Sequence, residues 1–481
     1  MKYRLIFFSI IIFFSVFKKS AAQDCDCESN FQWVKATFEE NDAGFQYILD
    51  KKGRQAYDIH NILIFEKVKS AKTLTECTRL LYEWLQFFRS GHIGIELTEY
   101  GSEEGASKTA LYEMVEGVDI PEFEKYVAQK TEAGFEGIWE IGAYKIGIKK
   151  EGEDYTGFII DTDIKEWSTG QIKLRIIKEK EKYRSVFYLR NHYPQESDRV
   201  QLMGNRYLLL GGNVLKRISP SFPDEKEVEG FIRSMETPSA YLERLTETTL
   251  LLRIPSFDYG HKAAIDSVIF ANKREILATP HLIIDLRDNG GGSDQSFAEI
   301  IPFLYTNPIR TIGVEFLSTE LNREAMFDYA TNPEYGFDEE TINWAKDAYD
   351  KMKQYPNRFV TISYPVIDME KQDTVYRYPE NVAILINENN ASSVEQFLLA
   401  AKQSRKVKLF GATTGGALDI SNMNDVESPC KQFRLWYCMS KSHRIPGMTI
   451  DDMGLQPDYY IDNTIPDYHW VKFVMEMWGM E

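Results

Sequence analysis

Two short segments of this chain combine residue types that could do chemistry. In the first, the apolar run Leu282–Leu286 passes directly into Arg287-Asp288-Asn289-Gly290-Gly291-Gly292. Glycines at a strand end let the backbone take positive φ and come close to a ligand, so their N–H groups can point at a developing oxyanion. Taken alone the same residues also make an ordinary tight turn. No Gly-Lys-Ser/Thr follows, which disfavours a phosphate loop. The second segment is Asn389-Asn390-Ala391-Ser392-Ser393-Val394-Glu395-Gln396-Phe397, between the strand-like run Val382–Ile386 and a helical stretch. Ser392 with Glu395 three residues on is a ready capping box, a purely structural device. A serine in that place also sits at the positive end of a helix, beside N–H groups able to receive an oxyanion. Strand, sharp turn and exposed serine is how other hydrolases present a nucleophile, although the G-x-S-x-G elbow of lipases and esterases is absent here.

Elements must hold those segments. From about residue 249 strand-length apolar runs (Leu250–Ile254, Leu282–Leu286, Val382–Ile386, Val407–Phe410) alternate with helical stretches such as Val394–Lys402. That alternation predicts an α/β layer structure with functional groups in loops at strand ends. Residues from about 24 to 90 carry apolar spacing of three to four, as in Leu80, Leu81, Trp84, Leu85 and Phe88, and predict helices ending at Ser90-Gly91-His92. Between about 130 and 245, short alternating runs divided by turn residues predict a small β-barrel or sandwich.

The order and spacing of four blocks resemble those of peptidase family S41. They are Asp285 to Gly292, Ser392-Ser393-Val394-Glu395, Gly411-Ala412-Thr413-Thr414-Gly415-Gly416 and Gly454-Leu455-Gln456-Pro457-Asp458, which together reach across most of residues 249–462. That family includes the C-terminal-processing (tail-specific) proteases, the tricorn core and the interphotoreceptor retinoid-binding-protein repeats. The resemblance implies Ser392 as nucleophile, with oxyanion donors at Ser393 and at Gly290 or Gly291. Members with a Ser/Lys dyad carry lysine where this chain has Ala417. The tricorn-like branch instead uses a histidine just after an N-terminal helix and a late carboxylate. Ser90-Gly91-His92 matches the first feature, with Ser90 in support, and Asp451 stands where many relatives have glutamate; Asp452 lies beside it. Histidine has the pKa to take a serine's proton, and a carboxylate fixes its tautomer. The other histidines, His60, His192, His261, His281, His443 and His469, read as structural or surface groups.

The resemblance thus implies a crotonase-like layered α/β core at 249–481. It follows a helical N-terminal region at 23–100, contributing His92, and a β-rich middle domain at 101–248. The expected protein is a serine peptidase acting on proteins or peptides through an acyl-enzyme, with no metal or organic cofactor. No carboxylate-binding loop of a PDZ domain is found between residues 100 and 245, so tail specificity is a weaker expectation than peptidase class. A ligand- or peptide-binding protein on the same fold is the alternative, since the retinoid-binding relatives use this core as a carrier.

Composition bounds the setting. Lys2 and Arg4, the apolar run Leu5–Phe17 and Ser20-Ala21-Ala22 have signal-peptide architecture over residues 1–22, predicting export to a periplasm, cell surface or exterior. The run is short for a membrane span, although Lys18 and Lys19 beside the cut leave an uncleaved anchor open. A net charge of −17 repels phosphate backbones, so nucleic acid is not an expected partner. Export makes disulfides possible among Cys25, Cys27, Cys77, Cys430 and Cys438: Cys430 with Cys438 across a hairpin, and Cys77 with Cys25 or Cys27. One cysteine is left over, and no spacing fits a zinc site.

Overall fold

A computed structural model describes residues 25–98, 119–190, 192 and 194–480. The expected signal segment, residues 1–22, lies outside them. The described residues form two compact units: one of 25–98, Leu317–Arg358 and Asn422–Met439, the other drawn from 119–316, Phe359–Ser421 and 440–480.

The first unit is mainly helical, with helices Cys27–Asn41, Phe45–Lys52, Arg54–Val68 and Leu74–Leu85. Asp26 and Thr73 cap the first and last of these by accepting from Ser29 and Glu76 N–H groups. The spacing read from the sequence puts Leu80, Leu81, Trp84 and Leu85 on one buried face. There the Phe38 and Phe88 rings pack tilted to each other (4.7 Å between centroids) and Trp84 meets both Phe31 and Phe88 edge-on. Helices Glu320–Thr331 and Glu339–Gln354 belong to this unit, not to the α/β unit as the expected boundary at 249 would have it. Buried polar groups attach them: Thr319 Oγ1 donates to Asn41 Oδ1 (2.6 Å), and Tyr437 Oη donates to Asn322 Oδ1 (2.9 Å).

Two disulfides tie this unit, Cys25–Cys430 and Cys27–Cys77. The Cys27–Cys77 link was one of two expected choices; the Cys430–Cys438 staple does not form. Cys430 lies in the turn between the strands Ile420–Glu427 and Phe433–Ser442, while Cys438 is well inside the second of them. Its buried thiol instead donates to His92 O at 3.3 Å.

The second unit holds a six-stranded sheet, a nine-stranded sheet and the small antiparallel pair of Ile309–Ile312 with Ile367–Glu370. The six-stranded, mostly parallel sheet of the α/β part runs in the order Tyr241–Arg244, Thr249–Arg253, His281–Asp285, Asn381–Ile386, Val407–Gly411, Tyr459–Tyr460. All its ladders are parallel except the first. Its four central strands are buried on both faces, which is why they read as continuous apolar runs. The β-rich segment forms one nine-stranded antiparallel sheet between Gly137 and Ser219. Strand Asn213–Ser219 returns to pair with Gly137–Ile141, and no ladder joins the two edge strands among the described residues. It is therefore neither a closed barrel nor a sandwich. The sheet curls enough for Phe187 and Leu208, many strands apart, to share a core with Trp139 and Leu174.

Candidate active site

Strand His281–Asp285 delivers the glycine loop, and a buried ion pair fixes its start. Arg287 donates to both oxygens of Asp285 (2.9 and 2.7 Å) and lies over the Phe231 ring. Flanking cations hold the Asp285 carboxyl below its usual range against the opposing effect of burial. Asn289 then organises the turn: its Oδ1 accepts from Phe257 N (3.2 Å) and Gly291 N (3.0 Å), and its Nδ2 donates to Ile254 O. Gly291 has φ 104°, and a Cβ there would fall 2.7 Å from both Ser392 Cβ and Ala391 O. The loop is thus in contact with the serine segment, an approach open only to glycine.

Asn390 staples the two segments together. Its Nδ2 donates to Leu286 O (2.6 Å) and Asn289 O (2.9 Å), while Oδ1 accepts from Asn387 N. Asn387 and Asn389 both donate to Asp288 Oδ1 (2.9 and 2.7 Å). Ser392 N donates to Ala417 O (2.9 Å). Within this frame Ser392 takes φ 60°, ψ −128°, a conformation that side chains strain to adopt. Its side chain makes no cap hydrogen bond to the helix Ser393–Ala401. The expected capping box is absent. Ser392 is partly exposed, whereas Ser393 is buried and its hydroxyl has no hydrogen-bond partner.

Among the described residues the N–H groups of Ser393 and Gly290 have no hydrogen-bond partner, while Gly291 N–H is spent on Asn289. Two donors in these segments are therefore unspent, one of them at a helix start where the dipole favours negative charge.

Glu395 does other work. Its fully buried carboxylate accepts from Thr414 Oγ1, Gly416 N (2.9 Å) and Ala417 N (2.8 Å), anchoring the Gly411–Gly416 block behind Ser392. Burial pushes this carboxyl up, and those bonds oppose the shift. Asp451 is similarly committed: Oδ1 accepts from Leu418 N (2.7 Å) and Asp419 N (2.6 Å), and Oδ2 from Ile420 N (3.1 Å). Burial raises its carboxyl too. Asp452 follows with φ 64° and an exposed side chain.

His92 and Ser90 belong to the helical unit. His92 is partly exposed with φ 54°, in a turn built by Arg89. The buried Arg89 guanidinium pairs with both Asp42 oxygens (2.8 and 2.6 Å) and donates to Gly91 O and His92 O (3.1 and 3.0 Å). Asp42 also accepts from Cys438 N (3.0 Å). Removing either partner would leave an unpaired buried charge, so the turn is firmly held. Ser90 is exposed.

Sequence reasoning assigned no task to Asn289, Asn390, Arg89 or Asp42. Both asparagines stood inside the quoted motifs, but nothing in one sequence marks which polar side chain reaches a distant backbone. Among the described residues no group of three or more His, Cys, Asp or Glu is placed to hold a metal.

Comparison with known proteins bears on this geometry. Residues 248–461 match the model of peptidase family S41. The fold is similar to that of mature CPAF complexed with lactacystin, at 12% identity and a TM-score of 0.51, over 94% of this chain and 97% of that one. Mature CPAF by itself is similar at 11% identity and a TM-score of 0.51, over 94% and 96%. At such identities the likeness is one of fold: a mixed helix-and-sheet architecture with a helical N-terminal region ahead of β-rich and α/β parts. No curated protein matches the chain.

Proposed function

We propose that this protein is an exported serine peptidase that cleaves peptide bonds through an acyl-enzyme on Ser392, with His92 as general base. The observation that carries the reading is the Ser392 backbone. A residue held at φ 60°, ψ −128° whose hydroxyl forms no helix cap is costly to keep unless the hydroxyl is used. In the first step the Ser392 proton passes to His92 as Oγ attacks the scissile carbonyl carbon. The resulting oxyanion is received by the N–H groups of Ser393 and Gly290. Collapse expels the amine, which takes the proton back from the imidazolium. Water then attacks the acyl carbon with the same base, releasing the acid and restoring Ser392.

Ala417 at the dyad-lysine position supports the Ser/His/acid branch over Ser/Lys. For the acid, Asp451 is a poor choice because three backbone amides already occupy both its oxygens. We assign the orienting role to Asp452, whose side chain is exposed. Two disulfides support export, since such bonds persist in oxidising compartments.

The test is hydrolysis of casein and of a peptide library by the purified mature protein, beside Ser392→Ala, His92→Ala, Asp451→Asn and Asp452→Asn variants. Losses of roughly a thousandfold or more in kcat/KM are expected for the first two. Asp452→Asn should lower kcat without unfolding the protein, and Asp451→Asn should lower thermal stability. Undiminished cleavage by Ser392→Ala would remove the nucleophile. A folded wild type inert on every peptide would favour a binding protein instead.

A further inference from the structure

Four of the cysteines pair, and the thiol left over meets the backbone of His92. The strand Gly94–Leu97 runs antiparallel to Phe433–Ser442, with Gly94 opposite Trp436 and Leu97 opposite Phe433. Carried two residues further, that register sets His92 opposite Cys438. Thr98 N donates to Gln432 O in the same ladder (3.0 Å), and hydrogen-bonded pairs recur at every second residue of an antiparallel pair. A regular continuation would therefore join the Cys438 N–H to His92 O. Here the Cys438 N–H donates to Asp42 Oδ2 (3.0 Å), its carbonyl accepts from Ala43 N (2.8 Å), and the thiol is what meets His92 O, at 3.3 Å.

Arg89 Nη2 donates to the same oxygen at 3.0 Å, while the guanidinium as a whole is held by both oxygens of Asp42. Asp42 is the common anchor, since it orients Arg89, takes the Cys438 N–H and accepts from Gly44 N (2.9 Å). Arg89, Asp42 and Cys438 are all buried. Two donors on one carbonyl fix the peptide plane that follows His92, a residue at φ 54° where side chains are uncommon. Any rotation of that plane would swing the Cα–Cβ bond, and the imidazole with it.

We propose that Cys438 is a positioning residue for His92: its thiol, together with the Arg89 guanidinium, pins the His92 carbonyl and so sets the direction in which the imidazole leaves the chain. The inference rests on the reading of His92 as general base. A general base works only within hydrogen-bond reach of the proton it takes, so a small change in that direction costs rate. The thiol can donate only while it stays reduced, which gives the odd cysteine a reason to remain unpaired in a chain with two disulfides.

Three variants test it on a peptide that wild type cleaves in a Ser392-dependent way. Cys438→Ala and Cys438→Val remove the donor, the second with little loss of volume, and Cys438→Ser keeps a donor. Each is measured for kcat, KM and thermal midpoint, alone and combined with His92→Ala. Cys438→Ala and Cys438→Val should lower kcat roughly three- to tenfold, the range of one neutral hydrogen bond, with KM unchanged. Cys438→Ser should recover most of that kcat. In the His92→Ala background the same changes should cost nothing further, because the thiol acts only through the base. Wild-type kcat in both donor-free variants, no recovery in Cys438→Ser, or an equal loss with and without His92 overturns this proposal alone. If His92→Ala cleaves as well as wild type, the general-base reading fails and this one with it.

Discussion

Strain at Ser392 and contact at Gly291 make opposite predictions for two small substitutions. Glycine adopts φ 60°, ψ −128° freely, so Ser392→Gly should abolish hydrolysis yet stabilise the fold by about 1–2 kcal/mol in denaturant titration. Unchanged stability would mean that the backbone there is not strained. At Gly291 the added methyl group of alanine would collide with Ser392 Cβ and Ala391 O at 2.7 Å, in a backbone that already disfavours side chains. Gly291→Ala should therefore lose both activity and stability. Glu395 offers a third test. Glutamine keeps one acceptor oxygen but turns an amide donor towards backbone N–H groups that now have a carboxylate. Glu395→Gln should cost about 2–4 kcal/mol, read by thermal or urea unfolding. The capping-box reading of Ser392 and Glu395 had the right residues and the wrong bonds. Spacing alone does not say whether a carboxylate bends back to its own helix or reaches a loop twenty residues away.

At the scale of elements, the strand Ile172–Glu179 shows where alternation misleads. Its pattern puts Ile172, Leu174 and Ile176 inward and Lys173 outward. Pairing with the strand Asp154–Thr162 slips here, since Gly157 faces Leu174 while Phe158 faces Ile172, leaving Lys173 as an unpaired bulge residue. The bulge turns Lys173 inward, where its ammonium lies 3.9 Å from the Tyr144 ring centroid and 4.0 Å from that of Trp167. Burial lowers its pKa from 10.5 to about 7. Between those values the unfolded chain holds a proton that the folded one lacks, so stability should rise as pH climbs from 7 towards 10.5. The ring faces offset part of this cost by attracting the cation. Lys173→Met should be more stable than wild type at pH 7, by about 1–3 kcal/mol, with the gap closing towards pH 10 in paired unfolding curves. A gap independent of pH would show that packing, not charge, sets the difference.

Across the whole molecule, the Cys25–Cys430 bond joins residues 405 apart in sequence and ties the first helix to the hairpin that leads into Cys438. Cys430→Ser should lower stability by about 2–4 kcal/mol, and reductant should destabilise wild type more than the variant. Peptide mapping without reduction should recover Cys25 with Cys430 and Cys27 with Cys77, while Cys438 reacts with a thiol reagent only after unfolding. Recovery of a Cys430–Cys438 peptide would overturn this pairing.

Periodicity and motif order were enough to determine the parallel strands at 250, 282, 382 and 407, the helix after Ser392, the N-terminal helices and the peptidase-like blocks. These are local signals, written in the spacing of apolar residues and glycines along one strand or helix. Everything that depends on distant segments meeting was decided by the tertiary structure. The disulfide partners, the curl of the nine-stranded sheet, the transfer of residues 317–358 to the helical unit and the commitment of Asp451 to three amides all belong there. So does the freedom of the Ser392 hydroxyl, which follows from a backbone strain that only its packed surroundings can hold. A residue's type limits which bonds it can make; which of them form depends on what the fold brings within about 3 Å.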